Sequence, residues 1–178
     1  MKRPLLLALL CWFAAVSAVQ AQTITPQGRL TLTSATPVQS AEVVGASTIY
    51  YACYAGNNIQ VAGVDLTIPA CNASLTLTAG NHLSGSVYDI YVVNISGTAT
   101  LCTGPAWTSP TSRGTGAGTA EISLSNGLWT NANSLASCHN GGTDHGPVSA
   151  NSGTLLGSFY ATANGQTTVQ INPAEAAG

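Results

Sequence analysis

The chain has 178 residues, of which 45% are hydrophobic and 6% charged, and its formal net charge is −2. That length accommodates one domain with its own core. With so few cations the chain cannot build the basic stripe that nucleic acid or an anionic membrane surface requires, and both partner classes are excluded. The high apolar and β-branched content separates it from disordered, Ser/Thr-rich chains.

Met1-Lys2-Arg3 precedes an apolar run from Pro4 to Val19, followed by Val19-Gln20-Ala21. A basic start, an apolar middle and a small-x-small end mark residues 1–21 as a secretory signal peptide. The run is shorter than the roughly 20 residues that span a bilayer, so no membrane span is expected. The protein is therefore expected to be secreted, periplasmic or on the cell surface. Cleavage would leave Arg29 and Arg113 as the cations against Glu42, Asp65, Asp89, Glu121, Asp144 and Glu175. Such a surface repels its own copies weakly, and association into oligomers or fibres is favoured over that of a highly charged domain.

Cys53, Cys71, Cys102 and Cys138 remain after the leader. An even number in an exported chain implies two disulfides, for which three pairings are open. We favour Cys53–Cys71 and Cys102–Cys138, because each pair encloses a self-contained segment. No Cys-x-x-Cys spacing suggests zinc.

In chain order, Gln22–Gly28 is a polar lead-in. Arg29–Ser34 alternates, with Leu30 and Leu32 expected inward and the threonines outward. Thr36-Pro37 breaks it, and Ala41–Val44 leads into Gly45. Ser47–Tyr54 is a strong strand and Ala55-Gly56-Asn57-Asn58 a turn. Ile59–Ile68 gives short strands around Gly63, stopped by Pro69, and Ser74–Thr78 alternates again. The centre of the pattern is Val87–Ile95 and Thr98–Cys102, joined by Ser96-Gly97. Both faces of Val87–Ile95 are largely apolar, so this strand is expected to be covered on both sides, and Asp89 within it needs a partner. Gly104-Pro105-Ala106-Trp107 is expected to end the second strand.

Thr108–Thr119 is a Gly-, Ser- and Thr-rich surface loop that carries Arg113; it lacks the Gly-Lys-Ser/Thr ending of a phosphate loop. Ala120–Ser125 reads as a strand with Ile122 and Leu124 inward, followed by the Asn126-Gly127 hairpin turn into Leu128-Trp129-Thr130. Asn133–Cys138 continues as strand, His139–Ser152 is a loop, and Thr154–Thr162 pairs with a central strand. Asn164-Gly165 turns the chain into Gln166–Ile171, and residues 173–178 form a short tail. Strands recurring every dozen residues between turn signals predict an all-β fold, an antiparallel, jelly-roll-like β-sandwich forming one domain over residues 22–172.

Little in the chain suggests catalysis. There is no Gly-x-Ser-x-Gly elbow, and no local pair of carboxylates suits glycoside hydrolysis. We therefore expect no enzyme and no cofactor. His139, Asp144 and His145 are weak candidates for a metal site, separated by a flexible Asn-Gly-Gly-Thr segment. His82 is expected to be structural. Among the aromatics, Trp107 and Trp129 are the candidate ligand contacts, because large rigid rings anchor interfaces.

Seven stretches occur here in a familiar order: Gly28–Ser34, Ile49-Tyr50-Tyr51, Asn81-His82-Leu83-Ser84-Gly85, Val87-Tyr88-Asp89, Thr103–Ser109, Arg113–Thr119 and Ala163–Thr168. Together they resemble a family of bacteriophage and prophage tail-fibre-like virion structural proteins. The resemblance covers nearly all of the chain after the leader. It implies a β-rich structural or adhesive module that self-associates or binds a cell-surface or glycan partner, with no catalytic residues. The leader and the paired cysteines depart from that pattern and imply a relative working outside the cytoplasm. The family continues beyond Asn172-Pro173, so the short tail reads as a truncated frame. A subunit of an extracellular filament, built by strand addition, is the second reading, and a secreted carbohydrate-binding module the third.

Overall fold

A computed structural model describes residues 25–169. The expected leader, the first residues of the lead-in and the tail lie outside the described residues. The fold is all-β and antiparallel. Its strands are β1 (Gly28–Thr31), β2 (Val43–Ala46), β3 (Thr48–Cys53), β4 (Asn58–Val61), β5 (Val64–Thr67), β6 (Asn72–Thr76), β7 (Val87–Ile95), β8 (Thr98–Ala106), β9 (Ile122–Ser125), β10 (Leu128–Asn131), β11 (His139–Asn140), β12 (Thr143–Asp144), β13 (Gly153–Ala163) and β14 (Gln166–Val169). A single 3-10 turn, Pro69–Cys71, precedes β6.

The strands form a sandwich-like single domain. The large sheet has the order β12-β11-β8-β7-β13-β10-β9, and β14 and β2 extend it from the far end of β13. Opposite it lies the three-stranded sheet β1-β3-β6, with the β4–β5 hairpin beside it. β13 can serve two neighbourhoods because it is long. Residues Gly153–Tyr160 pair with β7, with a register shift between Leu155 and Gly157, and Ala161 and Ala163 pair with β14.

Period-2 alternation in β7 explains the layering. Tyr88, Ile90 and Val92 enter the main core, where they meet Ile49 and Tyr51 of β3, Leu75 of β6 and Phe159 of β13. Tyr91 and Val93 point to the opposite face and join Cys102, Leu135, Cys138 and Val148 in a second core. The strand is covered on both sides, as its two apolar faces require. The second cover is a loop layer, residues 132–152, and the Cys102–Cys138 disulfide fastens it to β8. Cys53 and Cys71 form the other disulfide, tying β3 to the turn before β6. Cα separations are 5.0 Å for Cys53–Cys71 and 5.2 Å for Cys102–Cys138, within the usual range for such bridges.

The turn chemistry holds at the two central hairpins. Ser96-Gly97 and Asn126-Gly127 both have positive φ at each residue, 50° and 86° in the first and 49° and 79° in the second, which is the type I′ geometry that matches strand twist.

Four expectations need correction. β8 does not stop at Cys102; it runs through Gly104 and Pro105 to Ala106. The β7–β8 register shifts between Tyr88 and Ile90, and Pro105 falls in that irregular stretch, where a missing N–H costs no ladder bond. Leu124 does not face inward but is 63% exposed, because the turn at Asn126-Gly127 sets it opposite Trp129 while Leu128 and Thr130 fill the inner face. Thr31, expected outward, is buried and donates its hydroxyl hydrogen to Gln39 Oε1 at 2.9 Å. Asn133–Cys138 is not a strand but an irregular segment held by the Leu135–Val148 bridge, and the loop after it contains the short β11–β12 hairpin.

Candidate interaction surface

Trp107 follows β8 directly. Its N–H donates to the Val87 carbonyl at 2.9 Å, so the ladder holds the residue at the sheet end. The side chain is half-buried, and the Arg113 guanidinium lies over its ring at 4.2 Å from the centroid. Arg113 comes from the Gly-rich loop, and its Nε donates to Asp89 Oδ2 at 2.7 Å and its Nη2 to Oδ1 at 3.2 Å. The Ser158 hydroxyl donates to the same Oδ1 at 2.5 Å. Asp89, fully buried in β7, thus has the partner that its setting demands. Trp107 is tied to this internal clamp through the ring face that Arg113 covers, and the residue as a whole is half-buried.

Trp129 is differently placed. It is 52% exposed on the outer face of the β9–β10 hairpin, directly opposite Leu124. Beneath it a shallow groove of about 320 Å³ is lined by Pro26, Leu128, Leu155 and Leu156, and no charged side chain borders it. β9 is the terminal strand of the large sheet, and among the described residues its far edge carries no strand partner. The two candidate tryptophans therefore separate: one is a structural anchor, the other an exposed apolar platform.

The histidines and Asp144 are not gathered. His139 stands opposite Asp144 in β11–β12, but His145 lies next along the chain and lines a different cleft from His139. The Asp144 carboxylate is committed to its own loop. Its Oδ1 accepts the N–H groups of Cys138 at 2.8 Å and Gly146 at 2.9 Å, which hold its carboxyl below the usual carboxylate range. Among the described residues no group of three His, Cys, Asp or Glu side chains is placed to hold a metal ion.

His82 is fully buried. Its Nδ1 accepts the Thr78 N–H at 3.0 Å, so the ring proton sits on Nε2, 2.9 Å from Thr103 Oγ1. Its carbonyl accepts the Gly165 N–H at 2.7 Å, and its ring packs against Tyr88 and Phe159. Burial lowers its pKa from the ordinary value. The residue is a structural rivet joining the turn before β7 to β8, β13 and the turn before β14.

Two further concavities lie elsewhere. One, about 340 Å³, opens between β1 and β13–β14 over Leu30, Ile49, Ile90 and Phe159. The other, about 420 Å³, lies among the loops at the end of β8 and includes Asn81, Tyr88, Thr119 and His139. Neither is bordered by a carboxylate or an arginine. No helix among the described residues is long and apolar enough to cross a membrane.

No protein-family model, curated protein or solved structure matches the chain.

Proposed function

We propose that this chain is an exported, non-enzymatic structural or adhesive module, similar to those of phage tail fibres, that works through its outer surface. The observation that carries the reading is the contrast between a pinned interior and an apolar outer platform. Two disulfides, a buried Asp89–Arg113 pair and a riveted His82 fix the scaffold. On that scaffold Trp129 and Leu124 stand out into solvent on a terminal hairpin. A large apolar pair held rigid at a sheet edge loses little entropy on binding, which is what recognition surfaces require. The disulfides also fit an oxidising compartment.

A carbohydrate-binding module is the second reading, since an exposed indole face without nearby charge suits a neutral sugar ring. The test of the first reading is binding of the purified, oxidised protein to bacterial cell surfaces or to a second copy of itself, measured for the wild type and for Trp129→Ala. Loss of binding with unchanged thermal stability supports it. An intact Trp129→Ala interaction, or turnover of a substrate by the wild type, overturns it.

A further inference from the structure

Among the described residues the outer edge of β9 is unpaired. We propose that two copies pair β9 to β9 in antiparallel register about Leu124, continuing the large sheet across a two-fold axis. The inference deepens the outer-surface reading above and rests on it.

The edge is chemically ready for pairing. Ser125 and Leu128 flank the two-residue turn and exchange hydrogen bonds, so the N–H and C=O of Leu124, one residue on, point away from β10. Sheets usually guard such an edge with lysine, proline, a bulge or an inward-pointing charge. β9 is short, at four residues, but has none of these: its sequence is Ile-Ser-Leu-Ser, its four pairs with β10 run without a register shift, and the chain has no lysine beyond Lys2.

The edge is self-compatible in this register. In a pairing centred on Leu124, Ser123 lies opposite Ser125 of the second copy and Ile122 opposite its Asn126. The nearest acid, Glu121, then faces Gly127 of the second copy, so the two acids do not meet. Glu121 is also held within its own chain, accepting the Gly116 N–H at 2.7 Å and the Asn133 side-chain amide at 3.0 Å. Leu124 meets Leu124 on the axis with Trp129 of each copy alongside, and an isologous contact of this kind closes at a dimer. The opposite terminal strand, β12, is only two residues long and carries Asp144, and β2, at the end of the side branch, has a shifted register with β14 and contains Gly45, so neither offers the same template.

The test is a concentration series of the oxidised full-length protein by sedimentation velocity. The wild type should pass from monomer to dimer. Leu124→Lys should weaken association by about tenfold or more, since a charge on the axis meets its own copy, and its melting temperature in dilute solution should be unchanged. Leu124→Cys should form a disulfide-linked dimer in air, whereas Val44→Cys on β2 should not. A wild type that stays monomeric throughout, or a Leu124→Lys variant that dimerises as well as the wild type, overturns the proposal. A monomer that still binds cells or glycans through Trp129 overturns the dimer and leaves the outer-surface reading standing.

Discussion

Arg113 reaches from a glycine-rich loop to the fully buried carboxylate of Asp89, 24 residues away in sequence, with Nε 2.7 Å from Oδ2. The arginine side chain keeps 29% of its surface exposed while the aspartate keeps none. The pair is therefore asymmetric: its loss would strand a charge on the Asp89 side. Arg113→Leu should destabilise the protein by about 3–5 kcal/mol, the usual result of leaving a buried charge without its partner. Asp89→Asn keeps the shape and removes that charge, so adding Arg113→Leu to it should cost much less than in the wild type. Urea denaturation of the four proteins in this cycle measures the coupling. Additive effects would show that the two side chains are independent.

The disulfides differ in what they hold. Cys53–Cys71 closes 18 residues and Cys102–Cys138 closes 36. Loop-closure entropy puts their contributions at about 3 and about 4 kcal/mol respectively. Their local effects differ more. The second bridge fastens the layer over Tyr91 and Val93, both buried in the smaller core. Replacing Cys102 and Cys138 by serine should raise amide exchange across residues 132–152 and around Tyr91, while β3 and β6 stay protected. Replacing Cys53 and Cys71 should leave that layer protected. A uniform change in exchange across both regions would contradict this division.

Much of the fold was legible because its signals are local. Alternation in Val87–Ile95, the Ser96-Gly97 and Asn126-Gly127 dipeptides and the spacing of the cysteines each depend on a few neighbouring residues. The favoured disulfide pairing is the one found. The errors arose where a distant element decides. Ile122 and Leu124 alternate just as Leu75 and Leu77 do, but Leu128 and Thr130 claim the inner face of their hairpin. Pro105 reads as a stop unless the shifted register of β7 and β8 is known. At the surface, Trp107 and Trp129 look alike in sequence. What separates them is Arg113, whose need for Asp89 brings it over one indole and not the other.

His82 makes the stability depend on pH. Burial depresses its pKa in the folded state, and the Thr78 N–H occupies the nitrogen that would take the proton. The unfolded chain, with an ordinary histidine near pH 6.5, binds a proton more readily than the folded protein. The contribution of the neutral ring is thus complete above about pH 6.5 and is lost as pH falls from there toward the depressed folded value, with a slope approaching 1.4 kcal/mol per pH unit. His82→Gln should be less stable at neutral pH and should flatten this slope. Melting temperatures of both proteins between neutral and mildly acidic pH, read against His139→Gln as the control for the neighbouring imidazole, check it. An unchanged slope in His82→Gln would assign the acid sensitivity to another group.

The two tryptophans should respond oppositely to truncation. Trp107 supports Arg113 through its ring face and is half-buried at the end of β8. Trp107→Ala removes both the packing and the support, and should destabilise by about 3 kcal/mol, within the range for large aromatic deletions. Trp129 is 52% exposed and stands directly opposite Leu124 in the hairpin register. Trp129→Ala should therefore cost less than about 1 kcal/mol, the value of one cross-strand pair, while weakening self-association or surface binding strongly. Chemical denaturation supplies the first comparison, and binding to cells and to a glycan array the second. If Trp107→Ala proved stable and binding-deficient while Trp129→Ala bound normally, the contact surface would lie at the end of β8, and the terminal hairpin would have no part in recognition.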